Sequence, residues 1–161
     1  MRAFTDLGGG PLNIHLYEEP STKNLKLDEV AGYLKEKLGE ISVDVRKPFI
    51  RASSEDEANV LARKLAELKV RDLTNPNVRL EPLPGEIEFE RKILRDPRLT
   101  GVLYDGFRLQ VMFRELLPAD EFSVEHAHII FTNRLFGTFD ESDRRYHARV
   151  SVYGFPSIIS T

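Results

Sequence analysis

The sequence contains no cysteine among its 161 residues. Without cysteine, the chain can form neither a disulfide nor a thiolate metal site, and it cannot use a cysteine nucleophile. No apolar run reaches the roughly 18 residues that a membrane-spanning helix needs. The first ten residues, MRAFTDLGGG, also lack the apolar segment of a secretory signal. The sequence therefore predicts a cytoplasmic protein with no membrane partner.

Familiar catalytic motifs are also missing. There is no Gly-x-Ser-x-Gly segment of the kind that carries a nucleophilic serine. There is no His-Glu-x-x-His either, the motif with which a zinc protease sets two ligands one helical turn apart. Gly8, Gly9 and Gly10 follow no strand and precede no Lys-Ser or Lys-Thr pair, so they do not match a phosphate-binding loop. Residues 1–10 are predicted to be a flexible leader.

Positive charge is not in excess. The chain has 23 Lys and Arg against 26 Asp and Glu, which gives a formal net charge of -3. This balance argues against a protein that binds nucleic acid by neutralising phosphates. Charged residues make up 30% of the chain and the two signs are mixed. Such a mixture indicates a surface rich in ion pairs, as is typical of proteins from thermophiles.

The first half alternates between strand and helix patterns. Apolar residues recur every second position in two segments and at helical spacing in two others. Ser54 followed by Glu57 matches the start of a helix with a capping box. The predicted order is a strand at Leu12–Tyr17, a helix at Leu27–Leu38, a strand at Ile41–Val45 and a helix from Ser54 to about Val70. Residues 74–85, rich in Pro and Asn, are predicted to be a loop or hinge, with an edge strand at Val78–Leu80 as the alternative.

The second half is less regular. Residues 104–117 fit both periods, since Phe107, Leu109, Val111 and Phe113 alternate as in a strand, whereas Leu109, Met112, Phe113 and Leu116 repeat as in a helix. Asp105 as an N-cap and the stop at Pro118 favour the helix. The other predicted elements are a short helix within Glu86–Arg95, strands at Val124–Thr132 and Tyr146–Val152, a turn-rich connection from Phe136 to Arg145, and a final β-type run at Ser157–Thr161.

Helices placed between strands favour crossover connections. The sequence therefore predicts an α/β fold, with a mixed, twisted sheet of about four or five strands and helices packed on it. A length of 161 residues fits a single domain over residues 1–161.

Two histidines near the C-terminal end are the first candidate site. His126 and His128 lie two residues apart, so they share one face of the predicted strand. Imidazoles on one face bind zinc when a third ligand converges, and His147 on the next strand is the candidate third ligand. The alternative is a set of half-buried histidines with hydrogen-bond partners. His15 lies on the more polar face of the first strand and is predicted to be half-exposed.

A dense charge cluster at Asp140–Arg149 is the second candidate. Three arginines could form an anion-binding rim, because guanidinium groups bind carboxylates and phosphates through paired N–H donors. These are Arg144, Arg145 and Arg149. The alternative is a solvated turn with weak ion pairs.

Several segments resemble an archaeal family of uncharacterised zinc metallopeptidase-like proteins and, in their order, the archaemetzincins. They are Leu103–Gly106, Phe113–Leu117, His128–Phe136, Asp143–Val150 and Gly154–Thr161. The resemblance implies a fold similar to the N-terminal subdomain of metzincins. In the family, a zinc-binding helix follows a segment like GFPSIIST, so the chain is expected to be incomplete at its C-terminus and non-catalytic, with no cofactor of its own.

The resemblance also implies a substrate site. In metzincins, the strand nearest the cleft holds substrate backbone in extended form. Its counterpart here is Tyr146–Tyr153, which makes Tyr146, Arg149 and Tyr153 candidate peptide-binding residues. Two alternatives stay open: an interaction module that forms a homodimer through its C-terminal strands, and a histidine-rich metal-binding protein. A missing C-terminal segment would be the other partner of an unfinished sheet.

Overall fold

The computed structural model describes residues 11–19, 25–96 and 101–161. The predicted leader, residues 1–10, lies outside the described residues. The helices are α1 (Leu27–Leu38), α2 (Glu55–Glu67), α3 (Pro84–Arg95) and α4 (Gly106–Arg114), with a 3-10 turn at Ala119–Glu121. The strands are β1 (Asn13–Glu18), β2 (Ser42–Val45), β3 (Leu103–Asp105), β4 (His126–Thr132), β5 (Leu135–Asp140), β6 (Arg145–Arg149), β7 (Ser151–Val152) and β8 (Ser157–Ser160). None of the helices in the described ranges is both long and apolar enough to cross a membrane.

Five strands form the main sheet, in the order β2-β1-β4-β8-β7. Four of them run parallel, and only the outer strand β7 is antiparallel to its neighbour. A second sheet has the order β3-β5-β6, with β3 parallel and β6 antiparallel to β5. The predicted mixed α/β fold with about five strands is confirmed, and the three-stranded sheet is an addition to it.

Alternating side chains give the main sheet two apolar faces. Ile14, Leu16 and Phe131 face α1 and pack with its residues Leu27 and Ala31. The opposite face carries the larger cluster, which joins the sheet to α2, α4 and the second sheet. Its fully buried members are Leu65, Tyr104, Leu109, Phe113, Ile130, Phe136 and Ile158. Strand β4 lies at the centre and contributes to both clusters, as its nearly continuous apolar sequence predicts.

Two helix starts follow their predicted capping residues. The Ser54 hydroxyl accepts a hydrogen bond from the Glu57 amide at 3.2 Å, while the Glu57 carboxylate accepts one from the Ser53 amide at 2.7 Å. Asp105 caps α4 and accepts hydrogen bonds from the amides of Phe107 and Arg108. Such caps satisfy amides that the first helical turn leaves without a partner.

The structure corrects three predictions of secondary structure. Residues 136–139 belong to strand β5 and not to a turn. The segment Tyr146–Val152 is not one strand, because it breaks at Val150 into β6 and β7, which belong to different sheets. The alternative of an edge strand at Val78–Leu80 is wrong, since these residues form no strand and α3 begins at Pro84.

Gly137 contributed to the wrong prediction of a turn at residues 136–139. A Cβ atom at this position would lie 2.6 Å from the backbone oxygen of His147 on the paired strand β6. Glycine is therefore needed for the close approach of β5 and β6, and not for a turn.

Substitution of Gly137 by alanine is expected to lower the free energy of unfolding by about 1–3 kcal/mol, because backbone must move to admit the methyl group. Gly32→Ala is the matched control. Gly32 lies within α1 with no other atom within 4 Å of its Cβ position, so alanine there should stabilise the fold by about 0.5–1 kcal/mol. Urea unfolding of both variants measures the change in the free energy of unfolding, which should be negative for Gly137→Ala and positive for Gly32→Ala. Equal changes would contradict the close packing at Gly137.

A buried charge network lies behind the C-terminal end of β4. Arg134, which follows this strand, donates hydrogen bonds from Nη1 to Glu90 Oε2 at 3.1 Å and to the Tyr104 hydroxyl oxygen at 3.0 Å. The Tyr104 hydroxyl donates to Glu90 Oε1 at 2.8 Å, and Lys69 Nζ lies 3.0 Å from the same oxygen. On the other side, Arg134 Nε lies 3.4 Å from Glu19 Oε1. These charges link α3, the second sheet and the end of β1.

Candidate functional site

Three histidines meet on one face of the main sheet. The parallel register places His15 of β1 directly beside Asp44 of β2 and beside His128 of β4. His126 lies two residues before His128, so it projects from the same face of β4. The rings of His15 and His126 stack with centroids 5.1 Å apart, and the rings of His15 and His128 are 4.7 Å apart. Pairing of β1 with β4 therefore creates a histidine cluster.

A chain of hydrogen bonds fixes the orientation of His15. Its Nδ1 lies 2.6 Å from Asp44 Oδ1, and its Nε2 lies 2.8 Å from His126 Nδ1. The carboxylate can only accept, so Nδ1 of His15 donates to it, and Nε2 forms the second hydrogen bond of the ring, with His126. His15 is only 5% exposed and His128 only 2%. The half-exposed position predicted for His15 is thus incorrect, because the 3-10 turn and β4 cover this face of β1.

Glu121 closes the cluster from the 3-10 turn. Arg46, which follows β2, donates from Nη1 to Glu121 Oε2 at 2.7 Å and from Nη2 to Glu121 Oε1 at 2.6 Å. The same guanidinium donates to the Tyr17 hydroxyl at 2.8 Å. That hydroxyl lies 3.1 Å from His128 Nδ1. Arg46 therefore connects the carboxylate to the tyrosine that orients His128.

The electrostatics keep His128 neutral and the carboxylates charged. Burial and the neighbouring His15 lower the pKa of His128 to about 4. Hydrogen bonds from Arg46 hold the pKa of Glu121 below its ordinary value. Burial raises the pKa of Asp44, but hydrogen bonds from Arg46 and His15 outweigh it and lower that pKa overall. Near pH 7 the site thus combines a neutral imidazole with two carboxylates.

The arrangement has the composition of a metal site. One ligand atom from each of His15, Glu121 and His128 lies within 4.8 Å of the other two. Nε2 of His128 is buried and forms no hydrogen bond with any described residue; it lies 3.5 Å from Glu121 Oε2. Two imidazoles and one carboxylate form the ligand set of many zinc sites that keep a fourth position open. These residues therefore fit a divalent metal ion.

His147 lies elsewhere. It belongs to β6 in the second sheet, and its Nε2 lies 2.7 Å from Asp143 Oδ2. It forms a separate group of potential ligands with Asp140 and Asp143 on the β5–β6 hairpin. The predicted partners His126 and His128 do share a face, but the structure brings His15 to them and not His147.

The candidate anion and peptide residues are spread along the hairpin and the strand that follows. Arg144 lies in the turn, with a φ of 56°, and Arg145 is exposed at the start of β6. Arg149 donates from Nε to Thr138 Oγ1 at 2.8 Å. The Tyr146 hydroxyl donates to Asp105 Oδ2 at 2.7 Å, whereas Tyr153 is 81% exposed. The structure thus uses Tyr146 internally and leaves Tyr153 open.

Sequence reasoning missed His15 and Glu121 as members of the site. The pairing of β1 with β4 joins residues 111 positions apart, and no local pattern specifies which strands become neighbours. The available signal was that His15 and Tyr17 lie two residues apart in an alternating strand, so both project from its more polar face. Glu121 lies in a loop, where sequence periodicity gives no information.

Comparison with curated proteins and with solved structures gives no significant match. The model of one protein family, described as "Probable metallopeptidase family (DUF6775)", matches residues 10–161. This range covers all described elements, including the histidine cluster and the C-terminal strands. The chain therefore belongs to the family of this description, DUF6775.

Proposed function

We propose that this domain holds polypeptide in extended form at the outer strand β7 and does not hydrolyse it with its own residues. The supporting observation is the outer edge of β7, one of the two edge strands of the main sheet. In strand addition, backbone hydrogen bonds provide affinity and alternate side chains provide specificity. β7 is the only antiparallel strand of the five and lies at the end of the sheet.

Along β7, some backbone N–H and C=O groups point toward β8 and others point away from it. Ser160 donates its amide to the Val150 carbonyl at 2.7 Å, and Val152 pairs with Ile158. Hydrogen bonding alternates along an antiparallel strand, so the N–H and C=O of Ser151 point away from β8. In the described part of the chain, no hydrogen bond reaches the Ser151 backbone from that outer side. These groups are available to a peptide.

Side chains beside this edge suit an extended peptide. Val150 is 73% exposed and Tyr153 is 81% exposed, which provides apolar contact on both sides of β7. Arg149 precedes Val150 in the chain, and its guanidinium, which donates from Nε to Thr138, would favour a peptide with an acidic side chain. The edge is shorter than the predicted Tyr146–Tyr153 segment, because the Tyr146 amide already donates to the Leu73 carbonyl at 2.7 Å.

The histidine positions support the proposed lack of hydrolysis. The sequence has four histidines, at positions 15, 126, 128 and 147, and no two are separated by one helical turn. A zinc protease of the helical type needs that spacing with a glutamate between the ligands. This chain is therefore expected to bind peptide without turnover.

Blocking the outer edge tests this function. Ser151→Pro removes the outward N–H, and loss of one hydrogen bond of about 1.4 kcal/mol corresponds to a tenfold weaker complex. The probe is a fluorescein-labelled octapeptide of alternating valine and glutamate, measured by fluorescence anisotropy. Ser151→Ala retains the N–H and is the matched control, with affinity expected within about twofold of wild type.

A folded Ser151→Pro variant that binds as well as wild type would exclude this edge. Binding of the valine–lysine octapeptide as tightly as the valine–glutamate one would argue against the role of Arg149. Cleavage of either peptide, followed by mass spectrometry, would contradict the non-catalytic proposal.

Dimer formation through the C-terminal strands is the weaker candidate. β8 pairs with β4 on one side and with β7 on the other, so this strand offers no open edge. A second copy would have to use β7 itself. Light scattering with and without peptide distinguishes dimer formation from peptide binding. A dimer that dissociates when peptide is added would show that the second copy and the peptide compete for the edge of β7.

A further inference from the structure

We propose that His15, His128 and Glu121 bind one divalent metal ion, and that zinc is the ion whose ligand preferences they match best. The proposal assigns metal binding and no reaction. It is independent of peptide binding, because the cluster lies on β1 and β4 and the peptide edge is on β7.

The two histidines already have the outer partners that metal-binding imidazoles require. A ligating histidine normally has its second nitrogen held by a carboxylate or another polar group, which fixes the ring and its tautomer. Asp44 holds Nδ1 of His15 at 2.6 Å, and the Tyr17 hydroxyl lies 3.1 Å from Nδ1 of His128. Nε2 of His128 lies 3.5 Å from Glu121 Oε2. Nε2 of His15 lies 4.0 Å from Glu121 Oε1 and 2.8 Å from His126 Nδ1, so a metal ion bound to it would displace the hydrogen bond with His126.

The buried Nε2 atom of His128 also favours a bound ion. A buried polar atom without a hydrogen-bond partner costs about 1–3 kcal/mol. The residue is 2% exposed, and among the described residues this nitrogen forms no hydrogen bond, although Glu121 Oε2 lies 3.5 Å away. A metal ion between His128 and Glu121 would bind this nitrogen and remove the cost of burying it without a hydrogen bond. If His128 served only for packing, that cost would remain.

Arg46 sets the affinity. Its guanidinium now holds both oxygens of Glu121, so a metal must take one oxygen from it. Arg46 retains Asp44 as a second carboxylate partner, at 2.9 Å from Nε. Removing this competing cation in Arg46→Gln should therefore tighten zinc binding. A purely structural role of the cluster predicts no zinc binding in either protein.

The hairpin group of Asp140, Asp143 and His147 is a weaker candidate and a useful control. These three residues are much more exposed than His15 and His128. One oxygen of Asp140 already accepts from both the amide and the hydroxyl of Ser142, at 2.9 Å and 2.6 Å. Such contacts are those of an ordinary turn.

The test is isothermal titration of ZnCl2 into tag-free, chelator-treated full-length protein. Wild type should bind one zinc ion per chain. Loss of an outer partner costs about 10–100-fold in metal affinity, so Asp44→Asn should fall in that range, and loss of a ligand should cost at least about 100-fold. His128→Ala and Glu121→Gln remove ligands, and His147→Ala should bind as wild type does. Cobalt in place of zinc gives a second readout, since its visible absorption reports the ligand geometry.

Circular dichroism checks that each variant is folded, and Glu121→Gln, at the rim of the cluster, keeps the test valid if His128→Ala unfolds. Absence of a 1:1 complex with wild type would overturn the proposal. Binding that survives in a folded Glu121→Gln, or that is lost in His147→Ala, would also overturn it. Failure of the Ser151→Pro test would leave zinc stoichiometry unaffected, so the two proposals fail separately.

Discussion

Arg134→Met is expected to lower the free energy of unfolding by about 3–5 kcal/mol, because it removes the cation between Glu90 and Glu19. Both carboxylates are almost completely buried. Methionine fills a similar volume but carries no positive charge, and Lys69, whose Nζ lies 3.0 Å from Glu90 Oε1, compensates for only part of that loss. Since native domains have only about 5–15 kcal/mol of stability, this loss is a large share of the total.

Urea unfolding at pH 7 measures the effect, and Arg63→Met is the control. Arg63 lies in an exposed ion pair, 3.5 Å from Glu81, so its loss should change stability by no more than about 0.5 kcal/mol. A result within about 1 kcal/mol of wild type for Arg134→Met would show that the network contributes little.

The loss in the free energy of unfolding caused by Arg134→Met should become smaller at lower pH. Burial raises the pKa of Glu19, and Arg134 opposes that rise. Without Arg134 the folded-state pKa rises further above the unfolded value. A carboxylate with a raised pKa destabilises the fold when charged. This penalty begins to decrease as the pH falls through the folded-state pKa and is gone below the unfolded-state pKa. A deficit that grows on acidification would contradict this assignment.

Phe113→Ala is expected to cost about 3–5 kcal/mol, whereas Phe107→Ala on the same helix should cost less than about 1 kcal/mol. Phe113 is completely buried and packs edge-to-face on Phe49 with ring centroids 5.3 Å apart. Phe107 is 57% exposed. Thermal and urea unfolding of the two variants compare identical chemical changes at buried and exposed positions of α4.

This pair also decides between the two patterns in residues 104–117. A strand would place Phe107 and Phe113 on one face, and the two substitutions would then have similar effects. The helix separates them and buries Leu109, Met112 and Phe113 together. Equal losses for both variants would therefore argue against α4 itself.

Local signals in the sequence were sufficient for the helices. Ser54 and Asp105 marked helix starts because their side chains accept from amides three or fewer residues away. The same kind of signal failed at Gly137, where glycine serves a contact with a different strand. Helix ends depend on near neighbours in sequence, whereas the role of a strand glycine depends on the partner strand.

The candidate site was predictable only in part for the same reason. The spacing of His126 and His128 fixed their shared face, since that depends on one strand alone. Recruitment of His15 and Glu121 depends on strand order and on the path of a loop. The split at Val150 is similar, because β6 and β7 differ in which sheet they join and not in local composition.

The pairing of β1 with β4 has a consequence during synthesis on the ribosome. His15 and His126 are 111 residues apart, and at about 5–20 residues per second the nascent chain needs roughly 5–20 s to extend from one to the other. Throughout that interval, the backbone edge of β1 that later pairs with β4 has no partner strand, although the neighbouring side chains Ile14 and Leu16 are apolar. Contacts between such distant residues slow folding, and unpaired apolar strands attract other chains. Newly made copies of this protein are therefore expected to depend on chaperones until β4 has emerged.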